Sequence, residues 1–469
     1  MLIGGEWRLV SGEPVCNPAD GKILGRVPHA TETDLQEAVE AAEKGFAVWR
    51  RMSPLKRSEI ILRAVRIVHE RLGEMAETMT LEQGKPIGQA RLEIVRGCEF
   101  LEWDATEGRR MYGRIVPSET GMRHAVVREP VGIVAAFSPW NFPMSSPARK
   151  IGGALSAGCA MVLKASEETP GSAVQLAKAF VDAGLPSGVL NVVFGKPDQI
   201  SEYLIPHPAV RMISFTGSVA VGKKLTALAG RHMKPAIMEL GGHAPVIVCD
   251  DVDPVAVADA SVTGKSRNAG QVCTAPTRFF VANAAYGKFR DRFVEKANAI
   301  KLGDGLDPET QMGPLANHRR VEALEELIAD AVGKGAQLLC GGKRVGNGGN
   351  FLPLTVLAEV PDDARVMSEE PFGPLALINP VASLDEGIQK ANSIPYGLAG
   401  YAFTNSARAA AQIADRLEVG NLSINHFTAS VAETPFGGVK DSGFGREGGC
   451  EGLAGYTIVK SISHLSEPV

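Results

Sequence analysis

The stretch Val131-Gly132-Ile133-Val134-Ala135-Ala136-Phe137 decides the fold. It is apolar throughout, three of its residues are β-branched, and it stops at the turn signal Ser138-Pro139. A run without polar alternation is a strand covered on both faces, as in a parallel sheet. Similar runs recur at Met161 to Lys164, Val189 to Phe194, Arg211 to Thr216 and Ile237 to Leu240, with helical stretches between them. Strand and helix in alternation predict a doubly wound, Rossmann-like α/β unit on a parallel sheet.

A second α/β unit is expected from Gly241 onward. Its strands fall at Pro245 to Cys249, Arg278 to Val281 and near Leu375 and Tyr401, and its helices around Tyr286 to Ile300 and Arg319 to Gly333. Toward the N-terminus, Thr31 to Asp34 forms a capping box before Leu35, Val39, Ala42, Phe46 and Trp49, which recur at helical spacing. Ser53-Pro54 opens a second helix through Ile60, Val65 and Ile67. Two polar-alternating runs, Arg123 to Arg128 and Tyr456 to Ser463, read as a projecting strand pair whose edge needs a cover, and another subunit would supply it. The expected division is therefore 1–113 with 131–240, then 241–441, with an arm of 114–130 and 455–469.

The chain has 469 residues, more than one core usually serves. Hydrophobic residues at 45% and charged residues at 22% match an ordinary globular protein, which excludes a disordered or fibrous one. Net charge is −4, with Lys and Arg scattered, so no footprint for nucleic acid or an acidic membrane surface is visible. No run approaches the roughly 18 apolar residues of a membrane span, and Met1 to Val10 does not read as a leader, so a cytoplasmic protein acting on small molecules is expected. Seven cysteines lack a C-x-x-C pattern and nine histidines lack H-E-x-x-H, so neither a disulfide framework nor a metal is expected.

Two segments compete for a nucleotide. Gly443 to Gly448 spells G-x-G-x-x-G, yet the chain ends before the helix and acidic residue that such a loop needs. Phe215-Thr216-Gly217-Ser218 follows a strand and precedes a helical run with Gly222, which offers a helix N-terminus to a pyrophosphate; a plain surface turn is the alternative. Lys164 and Glu167 lie just past another strand end, where they either read a ribose or form a solvated cluster with Glu168. A carboxylate there favours NAD over NADP, because a 2′-phosphate would meet like charge at up to about 4 kcal/mol across 4 Å.

Cys273 stands in Arg267-Asn268-Ala269-Gly270-Gln271-Val272-Cys273-Thr274-Ala275, among small and polar residues rather than core aliphatics. A lone cysteine proves nothing, so its companions decide: Pro139-Trp140-Asn141-Phe142-Pro143, Glu239-Leu240-Gly241-Gly242, Glu370-Pro371-Phe372-Gly373 and Pro435-Phe436-Gly437-Gly438. In this order and spacing, with Phe215 to Ser218, the chain resembles the aldehyde dehydrogenase superfamily along its whole length. The resemblance implies that family's fold, a cofactor domain, a catalytic domain and a small β oligomerisation arm, in a homodimer or homotetramer. It also implies that Cys273 is the nucleophile, activated by a neighbouring helix N-terminus or the nicotinamide's positive charge. Asn141 and the Cys273 backbone N–H would hold the oxyanion, and Glu239 would be the base that activates water. A glutamate at that place favours a free acid as product over an acyl-coenzyme A.

By the same resemblance Glu370 would bind the nicotinamide ribose, with Phe372, Trp140, Lys164, Glu167, Phe215, Thr216, Gly217, Ser218, Gly222 and Leu240 along the cofactor cleft. Lys150 and Glu447 match a proton-carrying pair of some relatives. Arg149, Arg267 and Ser430 fall where succinate semialdehyde dehydrogenases anchor the substrate carboxylate, which suits the fixed fork of arginine. On position alone, however, Arg149 beside Lys150 on an amphipathic helix would face solvent. Phe137 to Ala157 and Pro435 to Gly449 also resemble α-ketoglutarate semialdehyde dehydrogenases, so that substrate or another short ω-carboxylate aldehyde stays open. Ala275 stands where some succinate semialdehyde dehydrogenases carry a second cysteine, which excludes a local disulfide switch. A Cys-dependent amidohydrolase or acyltransferase with the same three residues and no nucleotide is the rival class.

Overall fold

The computed structural model describes residues 1–9, 12–346 and 348–466. Five parallel strands form the middle of the first sheet: Leu190–Val193, Ala160–Lys164, Ile133–Phe137, Val210–Thr216 and Ala236–Glu239. The first three are buried at every residue, as strands covered on both faces are, and the polar Asn191 and Lys164 are buried with them. From Ile133–Phe137 the chain winds to one side through Ala160–Lys164 and Leu190–Val193, then returns to the other side at Val210–Thr216. Strand order thus reverses between Ile133–Phe137 and Val210–Thr216, and α/β sheets bind ligands beyond the C-terminal strand ends at such a point.

Both edges of this sheet add short antiparallel strands that the sequence reading lacked. Leu2–Ile3 pairs with Leu190–Val193 on one side, and Gly443–Phe444 pairs with Ala236–Glu239 on the other. The Gly443 to Gly448 match is therefore a sheet edge, not a phosphate loop, with Glu239 opposite Gly443. Helix Glu32–Trp49 starts at the expected capping box of Thr31 and Asp34, and helix Pro54–Glu70 at Ser53. A long helix, Ile87–Glu107, packs against helix Ser145–Ala157 and was not expected; it carries Glu93 and Phe100 toward the site.

The second sheet runs in the order Gln337–Cys340, Thr355–Ala358, Leu375–Val381, Arg278–Ala282, Pro245–Val248, Ala399–Phe403, Asn421–Ile424. All its pairs are parallel except the first. Two hydrophobic cores result: one draws on Met1 to Leu240 together with Leu453 and Tyr456, the other on Ala244 to Leu417. A separate three-stranded sheet joins Arg114–Val116, Met122–Pro130 and Thr457–Leu465, one strand more than expected, with Ile115, Val459 and Ile462 exposed. Residues 467–469 of the expected arm lie outside the described residues. No described helix is long and apolar enough to cross a membrane.

Candidate active site

A cavity of about 1330 Å³ opens between the strand ends of the two sheets. Cys273, Asn141 and Glu239 all line it, although they are far apart in the chain. Cys273 follows a tight turn in which Asn268, Ala269 and Gly270 are left-handed, at φ 49°, 51° and 71°. Gly270 must be glycine, since a Cβ there would lie 2.1 Å from the Gly373 carbonyl oxygen. The turn delivers Cys273 to the cavity wall, partly exposed. Burial, then Glu370 and Glu239, push its thiol up to about 12, while Arg267 and its own backbone N–H act the other way. No helix begins in the residues just after Cys273, where the chain runs on into the strand Arg278–Ala282.

Asn141 stands four residues past the strand Ile133–Phe137, and its Nδ2 donates to the Gln271 carbonyl oxygen at 3.0 Å. That bond uses one of the two amide hydrogens and sets which way the carboxamide faces. Glu239 ends the strand Ala236–Glu239, is buried, and has no hydrogen-bond partner on either carboxyl oxygen. Burial and then Glu447 raise its carboxyl well above the usual range, against Lys150, Arg149 and Arg446. A buried, unpartnered carboxyl facing a cavity is equipped to exchange a proton with water there.

The sheet-reversal end of the cavity has the groups a dinucleotide needs. Phe215, Thr216, Gly217 and Ser218 line it, with Ser218 capping helix Val219–Arg231. The hydroxyls of Thr216 and Ser138 are buried without partners. Lys164 and Glu167 form an ion pair of 2.6 Å, and Glu167 accepts from the Gly195 backbone N–H at 3.0 Å, so they are not a loose solvated cluster. Glu370 accepts from the Gly242 N–H at 3.1 Å, and burial pushes its carboxyl up to about 7. Trp140 meets Phe372 edge to face with centroids 5.6 Å apart, and Leu240 lines the same wall. Two carboxylates at separate points, orphan hydroxyls and a helix N-terminus suit two riboses and a pyrophosphate. Gly222 needs correction: it does not line the cavity, and a Cβ there would meet the Leu240 side chain at 2.3 Å, so its place is close helix-to-strand packing.

At the other end the Arg149 guanidinium lies 3.6 Å from the Phe100 ring centroid and 5.2 Å from that of Phe436, and it donates to Ser430 Oγ. Arg267 lines the same cavity, 5.5 Å from the centroid of Phe142. The solvent-facing alternative for Arg149 fails because helix Ser145–Ala157 is buried at every position from Pro147 to Ala157. Lys150 sits behind the wall rather than on it, paired with Glu447, which does line the cavity. Sequence reasoning missed Lys85, Glu93, Asn268 and Phe100. Phe100 had one readable signal: with Gln89, Glu93 and Arg96 it forms a stripe at helical spacing on Ile87–Glu107, all lining the cavity.

Comparison with known proteins extends over the whole chain. The profile of the Aldehyde dehydrogenase family matches residues 9–462. The chain is 46% identical to a 4-(hydroxymethyl)benzenesulfonate dehydrogenase of Comamonas testosteroni, covering 99% of this chain and 98% of that one. It is 40% identical to an NADP-dependent succinate-semialdehyde dehydrogenase of Escherichia coli, covering 98% and 96%. A solved succinate-semialdehyde dehydrogenase from Burkholderia pseudomallei superposes with a TM-score of 0.96 at 40% identity, covering 99% and 97%.

Proposed function

The chain belongs to the aldehyde dehydrogenase family, and we propose that it oxidises an aldehyde carrying a remote carboxylate to the corresponding acid, with NAD as cofactor and succinate semialdehyde as substrate. What supports this most directly is a single observation: Arg149, held by Ser430 between two aromatic rings, opens onto the same cavity as Cys273. Arg267 adds a second guanidinium there. Both suit the two oxygens of a carboxylate. α-Ketoglutarate semialdehyde places a carboxylate at a similar distance and remains the nearest alternative.

In the reaction, Cys273 Sγ gives up its proton to water in the cavity and bonds to the aldehyde carbon. Negative charge then gathers on the aldehyde oxygen, where the free hydrogen of the Asn141 amide and the Cys273 backbone N–H donate, each such donor contributing on the order of 3 kcal/mol. When bound, the nicotinamide supplies the two-electron acceptor for that carbon. Cys273 is left as a thioester, and Glu239 takes a proton from the water that hydrolyses it. Glu447, just behind Glu239 and held by Lys150, receives that proton on its way out. Glu167 favours NAD because its charge disfavours a 2′-phosphate.

A second substrate reading has its own observation. The Comamonas testosteroni relative is named for an aromatic sulfonate, and Phe100, Phe142, Phe427 and Phe436 line the cavity around the two arginines. A sulfonate offers acceptor oxygens to the same guanidiniums, and an aryl ring suits those walls. A panel of succinate semialdehyde, α-ketoglutarate semialdehyde, 4-formylbenzenesulfonate and uncharged aldehydes, each with NAD and NADP, separates the readings. NADH formation with the acidic aldehydes and little with uncharged ones is expected; equal rates throughout would remove the anion anchor, and no NADH with any aldehyde would leave the amidohydrolase alternative. We further propose that the three-stranded arm docks on a second copy in a homodimer or homotetramer, which analytical ultracentrifugation tests. The free, scattered cysteines suit a reducing, cytoplasmic setting.

A further inference from the structure

We propose that Lys85, paired with Glu93, and Asn268 are positioning residues for aldehyde oxidation: they hold the backbone of Asn141 from behind, so that its carboxamide stays aimed at the place the aldehyde oxygen takes up. This rests on the proposed function of the cavity. The Asn141 carbonyl oxygen accepts two hydrogen bonds, from Lys85 Nζ at 2.8 Å and from Asn268 Nδ2 at 3.0 Å. The Asn268 amide also donates to the Gln271 carbonyl oxygen at 3.2 Å, the same oxygen that accepts from the Asn141 side chain. One NH2 group thereby ties the loop of the oxyanion donor to the loop of the nucleophile.

Both loops are anchored further out. Gln271 Nε2 donates to the Asn268 carbonyl oxygen at 3.1 Å, and its Oε1 accepts from the Ala316 N–H at 3.0 Å. The Asn268 backbone N–H reaches Gln89 Oε1 at 2.7 Å. Glu93 lies one helical turn after Gln89 and ion-pairs with Lys85. Its Oε1 accepts from the backbone N–H groups of Met144 and Ser145 at 3.0 and 3.1 Å, where the helix bearing Arg149 begins. One face of helix Ile87–Glu107 therefore fixes the oxyanion donor, the nucleophile turn and the start of the substrate-anchor helix together.

The ion pair is almost completely buried, at 1% and 2% side-chain exposure. A buried ion pair seldom adds net stability over an apolar pair of the same size, so its value lies in what it orients. Ala269, next to Asn268, is held left-handed at φ 51° although it is neither glycine nor asparagine, a conformation that persists where the surrounding structure imposes it. An oxyanion donor works only within a few tenths of an ångström of its proper distance, and a shift of about 1 Å costs about 10²-fold in rate.

The test uses Lys85→Met/Glu93→Gln, which removes both charges while residue 93 keeps an acceptor for Met144 and Ser145. Asn268→Ala, which leaves the ion pair whole, is the second arm, and Lys85→Arg is the conservative control. First-turnover NADH formation is measured with the best aldehyde of the panel, protiated and 1-deuterated, beside NAD affinity and the iodoacetamide alkylation rate of Cys273. The expected result is a first-turnover rate lower by about 10²-fold, a primary isotope effect on turnover, unchanged NAD affinity, an alkylation rate changed far less than the first-turnover rate, and partial recovery in Lys85→Arg. Wild-type first-turnover rates in the double variant and in Asn268→Ala would overturn the proposal. So would a loss matched by equal losses in NAD affinity and alkylation, which marks a merely structural role. A wild-type protein inactive on every aldehyde would instead overturn the proposed function.

Discussion

Lys150 Nζ lies 2.7 Å from Glu447 Oε1, across 297 residues of sequence, with Lys150 fully buried and Glu447 almost so at the cavity wall. Lys150 also donates to Ser214 Oγ at 3.2 Å, and Glu447 is near enough to Glu239 to raise that carboxyl's hold on its proton. Three buried groups thus lead from the cavity wall inward. Lys150→Met leaves Glu447 charged and unpaired, so unfolding in urea should show a loss of about 3–5 kcal/mol. Thioester hydrolysis should slow as well, read from the steady-state rate after the first turnover. A variant that hydrolyses the thioester at the wild-type rate would remove the pair from the proton route.

Arg149→Ala and Arg267→Ala should each lower kcat/KM for succinate semialdehyde about ten- to a hundredfold, the equivalent of about 1.5–3 kcal/mol for a charge-assisted bond. Butyraldehyde, of the same length without the carboxylate, should change little. Equal losses on both substrates would mean that the arginines support the walls rather than read the anion.

Glu167→Gln should raise the kcat/KM for NADP relative to NAD, because it removes the charge facing a 2′-phosphate while keeping a polar group for the ribose. Lys164 would then be left without its partner and free to meet the phosphate. An unchanged cofactor ratio would place the selectivity elsewhere in the cleft.

Activity should rise with pH. The Cys273 thiol is pushed up to about 12 and the Glu239 carboxyl well above the carboxylate range, both first by burial. A raised acid is neutral below its pKa, and the forms that attack and accept protons are the ionised ones, so kcat/KM should climb from about pH 6 to about pH 9. Arg267 favours the thiolate, so Arg267→Gln should displace the rise to higher pH. A profile that falls over this interval would contradict the assigned roles.

Strands such as Ile133–Phe137 were legible in the sequence because a doubly buried strand carries its signature locally, as an unbroken apolar run between turn signals. Leu2–Ile3 has no such signature: it is two residues long and exists through pairing with Leu190–Val193, far along the chain. Cys273, Asn141 and Glu239 were legible through their motifs, and the cavity brings all three together. Arg149 was legible as an anchor by family likeness but not as a buried residue, since an Arg-Lys pair reads as polar until Ile87–Glu107 packs over it. Lys85 and Glu93 were invisible for a related reason. Their pairing and their shared grip on Asn141, Met144 and Ser145 arise only when three segments meet.

The sharpest single measurement is mass spectrometry of Glu239→Gln quenched after one turnover with succinate semialdehyde and NAD. The variant keeps the nucleophile and the oxyanion donors but lacks the group that activates water, so one NADH should form per active site while a succinyl thioester accumulates on the peptide carrying Cys273. A full turnover rate with no adduct, or an adduct on any other cysteine, would contradict the mechanism at its centre.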